Sequence, residues 1–111
     1  MNKEFNCPVE ATISLIGGKY KSVILFHLMG KTLRYSELHK KIPKATDKML
    51  AQQLRELEKD GLIKRTVYPV VPPKTEYNLT EFGESLSPIL NAMCNWGESY
   101  LNIPSQGVEE L

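Results

Sequence analysis

The stretch that most constrains this chain runs from Thr46 to Gly61, TDKMLAQQLRELEKDG. Leu50, Leu54 and Leu57 fall at i, i+4 and i+7, the apolar stripe of a one-sided helix. At about 100° per residue, Lys48, Gln52, Arg55 and Lys59 fall on the opposite face. Thr46 is placed to cap the helix, since its hydroxyl can accept from an unpaired N–H of the first turn. Gly61 stands where the chain must turn left-handed just past the end. A helix whose charges only keep it soluble would show the same outer face. The residues that follow separate the two readings.

After Gly61 the sequence changes period. Leu62 to Tyr68 alternates, with Ile63, Arg65 and Val67 on one side and Lys64, Thr66 and Tyr68 on the other. Thr75 to Leu79 alternates too, setting Thr75, Tyr77 and Leu79 against Glu76 and Asn78. Between them, Pro69, Pro72 and Pro73 exclude a strand interior and require a loop. A β-hairpin placed directly after a basic helix is the order of a winged helix, with the hairpin as the wing.

Upstream, Cys7-Pro8 opens a short helix over residues 8 to 16, with Val9, Ile13 and Ile16 at helical spacing. Gly17-Gly18 ends it. Lys19 to Leu28 is a second helix, with Tyr20, Val23, Ile24, His27 and Leu28 on one side, and Gly30 closes it. Leu33-Arg34-Tyr35-Ser36 is a short connection, and Ser36 is placed to cap a helix through Ile42 with Leu38 and Ile42 inward. Pro43-Lys44-Ala45 is then the turn of a helix-turn-helix whose second helix is the basic one.

Downstream, Thr80 caps the last helical segment, and Glu81 and Glu84 suit the positive end of its dipole. Phe82, Leu86, Ile89, Leu90, Met93, Trp96 or Gly97, and Tyr100 recur every three or four residues, and Pro88 marks a kink or a new first turn. This stripe reads either as core or, being rich in Met and aromatics, as an interface with a second copy. Residues 104–111, rich in Ser, Gln, Gly and Glu, read as a disordered tail to a single domain over 1–103.

Charge matters here for its distribution. The formal net charge is only +1. Yet Lys19 to Tyr68 carries twelve Lys/Arg against five acids, whereas from Pro69 onward Lys74 alone opposes six acids. A basic middle suits a polyanion-facing surface, and the acidic end leaves a face for another purpose. With 111 residues there is room for one modest core. No apolar run approaches the roughly 20 residues that span a bilayer, so no membrane association is expected. The N-terminus lacks the order of a signal peptide, and two cysteines make no disulfide framework; a cytoplasmic protein is expected. His27, His39 and the cysteines fit no usual zinc spacing, and no phosphate loop or nucleophile elbow is present. Neither a metal, a cofactor nor an enzyme activity is expected.

Taken together, Cys7-Pro8-Val9, Ile16-Gly17-Gly18-Lys19, Leu33-Arg34-Tyr35-Ser36-Glu37-Leu38, Leu54 through Ile63, Glu76-Tyr77-Asn78-Leu79-Thr80, Gly83, and Leu86-Ser87-Pro88 with Trp96 resemble the HxlR family of winged-helix regulators, relatives of the MarR-type repressors. The resemblance spans nearly the whole chain. It implies a mainly α fold with a small β-hairpin (α+β). It also implies a homodimer built from the first and last helices, with two recognition helices and two wings on one face. Tyr20 replaces the usual Trp, and Lys44-Ala45-Thr46 replaces a turn that more often reads Gly-Ile-Ser; the capping hydroxyl is kept.

The expected partner is double-stranded DNA. Lys31, Arg34, Lys44 and Lys59, with Lys74 at the wing, are the phosphate candidates. Lys48 and Gln52 have the reach to read bases, Gln pairing bidentately with adenine and Lys with guanine. Arg55 serves either role, and Asp47 either caps locally or accepts from cytosine. Val9, Ile13, Leu86, Ile89, Leu90, Met93, Trp96 and Tyr100 are the expected dimer surface. Cys7 precedes Pro8 at a helix N-terminus, a place that stabilises thiolate. The resemblance implies that a cysteine there senses oxidants or electrophiles, with Cys94 a conceivable partner across the dimer; an unreactive Cys7 and a small core Cys94 are the plainer alternative. A winged helix that binds protein is the competing reading, but such a protein would carry apolar residues on the Lys48–Lys59 row. The residues identify no small-molecule effector.

Overall fold

In the computed structural model, which describes residues 5–102, the elements run α1 (Pro8–Ile16), α2 (Lys21–Leu28), β1 (Leu33–Arg34), α3 (Tyr35–Lys41), α4 (Asp47–Lys59), β2 (Ile63–Tyr68), β3 (Lys74–Leu79), α5 (Glu81–Glu84) and α6 (Ser87–Leu101). The expected tail lies outside the described residues.

α2 is the hub. Ile24, Leu25 and Leu28 have no exposed area, because α1, α3, α4, α6 and β3 all pack against this helix. Periodicity alone assigns one inward face that includes Val23 and omits Leu25. A helix covered on several sides does not obey a one-sided pattern, and here Leu25 is buried while Val23 is exposed. The helix also starts two residues later than expected. Tyr20 sits outside it at the N-cap, its backbone N–H donating to Gln53 Oε1 of α4 at 2.9 Å.

Around α2, Leu38 and Ile42 of the α3 region, Leu50, Leu54 and Leu57 of α4, Leu62, Ile63, Tyr77 and Leu79 of the sheet, and Leu86 and Leu90 complete one core. Each fully buried leucine contributes about 1.5–3 kcal/mol by leaving water.

The sheet has three strands, not the two of a bare hairpin. β3 lies between β2 and β1, antiparallel to both; Ile63 pairs with Leu79, and Leu33 with Tyr77. The stretch Leu33–Ser36, read as a connection, supplies β1 and then the first turn of α3. Ser36 is therefore inside the helix and cannot cap it. Arg34 occupies the N-cap, and its N–H donates to the Glu37 carboxylate at 2.8 Å. Two residues are too few to show an alternating pattern, so this strand carries no sequence signal of its own.

Beyond Arg65 the hairpin leaves the body: Val67, Tyr68 and all residues from Pro69 to Pro73 are exposed. Pro88 marks a new first turn. α5 ends at Glu84 and α6 starts at Ser87 with Pro88 in its opening turn.

Candidate nucleic-acid interface

α4 owes its placement to both its ends and its inner face. The Thr46 hydroxyl accepts from the Met49 N–H at 3.1 Å, and Gly61 takes φ +79° past the C-terminus. Leu50, Leu54 and Leu57 are buried, and Gln53 joins them on the inner face, satisfied by Tyr20. Lys48, Gln52, Arg55 and Lys59 are exposed, as the stripe predicts.

The turn before α4 is held by contacts that link residues up to twelve positions apart. Ala45 is buried, which explains a small apolar residue in this turn. The His39 Nε2–H donates to the Ala45 carbonyl at 2.9 Å. The Tyr35 hydroxyl donates to Asp47 Oδ1 at 2.8 Å, and His39 Nδ1 lies 3.2 Å from the same oxygen. Burial, followed by the hydrogen bond to Asp47, pushes the Tyr35 hydroxyl pKa up to about 12. Asp47 thus ties α4 to α3 rather than capping its own helix, a role that Thr46 fills. No local sequence signal marks Tyr35, His39 and Asp47 as a cluster.

Lys31, Arg34, Lys44 and Lys59 are all exposed. Lys74 differs: its ammonium lies 4.8 Å from the Tyr68 ring centroid and 3.9 Å from Glu76 Oε2, so it is already engaged within the wing. Lys40 and Lys41, in the last turn of α3, are further exposed cations of the helix-turn-helix.

One ion pair reaches this face from the interior. Lys21, at the start of α2, is only 7 % exposed, and its Nζ lies 2.7 Å from Glu56 Oε1. The other oxygen, Oε2, accepts from the Gln52 amide at 3.2 Å. The hydrogen bonds from Lys21 and then from Gln52 hold the Glu56 carboxyl below its ordinary range.

The remaining candidate residues lie on α1 and α6. Cys7 is exposed at the N-cap of α1. Cys94 is half-buried, its thiol 3.8 Å from Glu98 Oε2; burial first, and then the Glu98 charge and hydrogen bond, push its pKa up. Trp96 and Tyr100, 70 % and 74 % exposed, stack with centroids 5.5 Å apart. Val9, Ile13, Ile89 and Met93 are exposed as well. Leu86 and Leu90 are not: they are buried in the chain's own core, where α6 packs on α2. Among the described residues, no helix is long and apolar enough to cross a membrane.

Residues 15–105 match the HxlR-like helix-turn-helix family. The uncharacterized HTH-type transcriptional regulator YdeP of Bacillus subtilis is 54% identical over 94 residues, spanning 85% of this chain and 73% of its own. YtcD of the same organism, another uncharacterized HTH-type transcriptional regulator, is 55% identical over 100 residues, spanning 90% of this chain and 79% of its own. Among solved structures, the redox regulator HypR in its oxidized form superposes with a TM-score of 0.80 at 50% identity, over 84% of this chain and 96% of that one.

Proposed function

The chain belongs to the HxlR-like helix-turn-helix family of transcriptional regulators, which are not enzymes, and from that premise we propose that it binds double-stranded DNA sequence-specifically as a homodimer in the cytoplasm. The observation that carries this reading is the exposed Lys48, Gln52, Arg55 and Lys59 row of α4, backed by a buried leucine face and flanked by a projecting wing. Side chains near the start of α4 have the reach to read base edges in a major groove, and the exposed cations around them suit a phosphate backbone. Thr46 and Asp47 hold the start of the helix in place, and Arg55 and Lys59 follow the backbone farther along it. Lys31, Arg34 and Lys44 supply phosphate contacts, and Lys74 braces the wing.

Val9, Ile13, Ile89, Met93, Trp96 and Tyr100 form the surface for the second copy. So many exposed apolar and aromatic residues on two terminal helices are costly to leave in water. Cys7, exposed and at a helix N-terminus, is the sensing thiol; the similarity to the redox regulator HypR supports an oxidant or electrophile as the signal.

The test is fluorescence anisotropy of the reduced protein with the DNA upstream of its own gene and with random DNA, across a salt series, before and after diamide. Tighter binding to the upstream DNA, a steep fall of log affinity with log salt, and an oxidant effect lost in Cys7→Ser are expected. Weak, equal binding to both DNAs at every salt concentration refutes the reading for that promoter and favours a protein partner for the winged helix.

A further inference from the structure

Gln52 does not stand free on the outer face of α4. Its Nε2 donates to Glu56 Oε2 one helical turn on, and Glu56 Oε1 is held at 2.7 Å by Lys21 from the interior. We propose that Glu56 is a specificity-determining positioning residue: anchored by the buried Lys21, it fixes the orientation of the Gln52 amide that faces DNA. The proposal rests on the reading of Gln52 as a base-contacting residue.

Lys21 comes first in the chain of causes. An ammonium that is 7 % exposed needs a partner, since an unpaired buried charge is strongly destabilising. Glu56 is that partner, and the pair sets the position of its carboxylate on α4. With Oε1 committed to Lys21, Oε2 remains for Gln52. A primary amide has two N–H donors and one acceptor oxygen. With one N–H committed to Glu56, one N–H and the carbonyl oxygen remain. This donor–acceptor pair suits N7 and N6 of adenine. The carboxylate accepts only, so it selects the NH2 end of Gln52 and rejects the flipped amide, whose oxygen would face a negative charge. A free Gln side chain must lose rotamer freedom on meeting a base; a pre-set one loses less. Lys21 also offsets the negative charge that Glu56 would otherwise bring toward phosphate.

Gly18 belongs to the same arrangement. A Cβ there would lie 2.8 Å from Gln53 Oε1 and 2.9 Å from the Lys21 Cδ, so a larger residue would press on both side chains.

The experiment is a double-mutant cycle between Gln52→Ala and Glu56→Gln, read as the ratio of affinities for operator and random DNA at fixed salt. Gln52→Ala is expected to lower the ratio about 5- to 150-fold per half-site. Glu56→Gln should lower it roughly 2- to 12-fold per half-site in the wild-type background and leave it unchanged in the Gln52→Ala background. A merely structural role would change the two DNAs alike and would persist without Gln52. If Gln52→Ala leaves the ratio intact, the base-reading assignment falls and the proposal with it. If Gln52→Ala lowers the ratio but Glu56→Gln does not, or acts equally in both backgrounds, the positioning role alone is overturned. Should Glu56→Gln fail to fold, Lys21→Met/Glu56→Gln removes the stranded ammonium and carries the same cycle.

Discussion

Gly83 to alanine should destabilise this protein, although helix propensity alone predicts the reverse. Gly83 lies in α5 and does not have a positive φ, so replacing it by alanine should gain up to about 1 kcal/mol of helix propensity. The surroundings decide otherwise. A Cβ at Gly83 would fall far inside contact distance of the Leu62 carbonyl oxygen and 3.1 Å from its carbon. Both are backbone atoms at the start of the wing, with no side-chain rotation to relieve them. The same oxygen accepts from the Thr80 N–H at 3.0 Å and from the Thr80 hydroxyl at 3.2 Å. Moving α5 away from Leu62 weakens both bonds, each contributing about 1 kcal/mol. Overpacking of this kind costs about 1–3 kcal/mol. Set against the propensity gain, the net loss is about 2–4 kcal/mol, a melting-temperature drop of roughly 8–30 °C for a domain of this size. Thermal unfolding followed by circular dichroism, at matched protein concentration because self-association would make melting depend on it, provides the measurement. A melting temperature equal to or above wild type would refute the argument that the close approach of α5 to Leu62 excludes a Cβ.

Three further outcomes follow from the same structure. Lys44→Ala should weaken operator and random DNA by the same factor and lower the log–log salt slope by about one for each phosphate left without its cation, whereas Gln52→Ala should lower the preference between them; equal weakening of both DNAs by Gln52→Ala would remove its base-reading role. Trp96→Ala should raise the dimer dissociation constant at least about 30-fold if this stacked, exposed ring is an interface anchor, measurable by analytical ultracentrifugation; an unchanged constant places the interface elsewhere. In a Cys7→Ser background, Cys94 should react with iodoacetamide slowly at neutral pH, because burial and Glu98 favour its protonated form; its rate should rise only above the ordinary thiol range. Glu98→Gln should shift that rise to lower pH, and a profile unmoved by this change would discount the carboxylate.

The legible and hidden parts of the chain divide along a physical line. Where a feature depends on near neighbours in sequence, the residues mostly sufficed, the cap of α3 excepted: it falls at Arg34 and not at Ser36, because β1 runs straight into the helix. Thr46 and Gly61 bounded α4 because capping and left-handed turns are local, and the Leu50, Leu54, Leu57 stripe placed the basic row outward because 3.6-residue periodicity is local too. The prolines between Tyr68 and Lys74 marked the wing for the same reason. Tertiary structure decided what depends on distant segments meeting. It made β1 a strand by docking it on β3, buried Leu25 by surrounding α2, and assigned Leu86 and Leu90 to the core rather than to an outer face. It also paired Lys21 with Glu56, and Tyr35 and His39 with Asp47. No spacing rule announces such pairs, because their energy comes from burial and from contacts between segments that only the folded chain brings together.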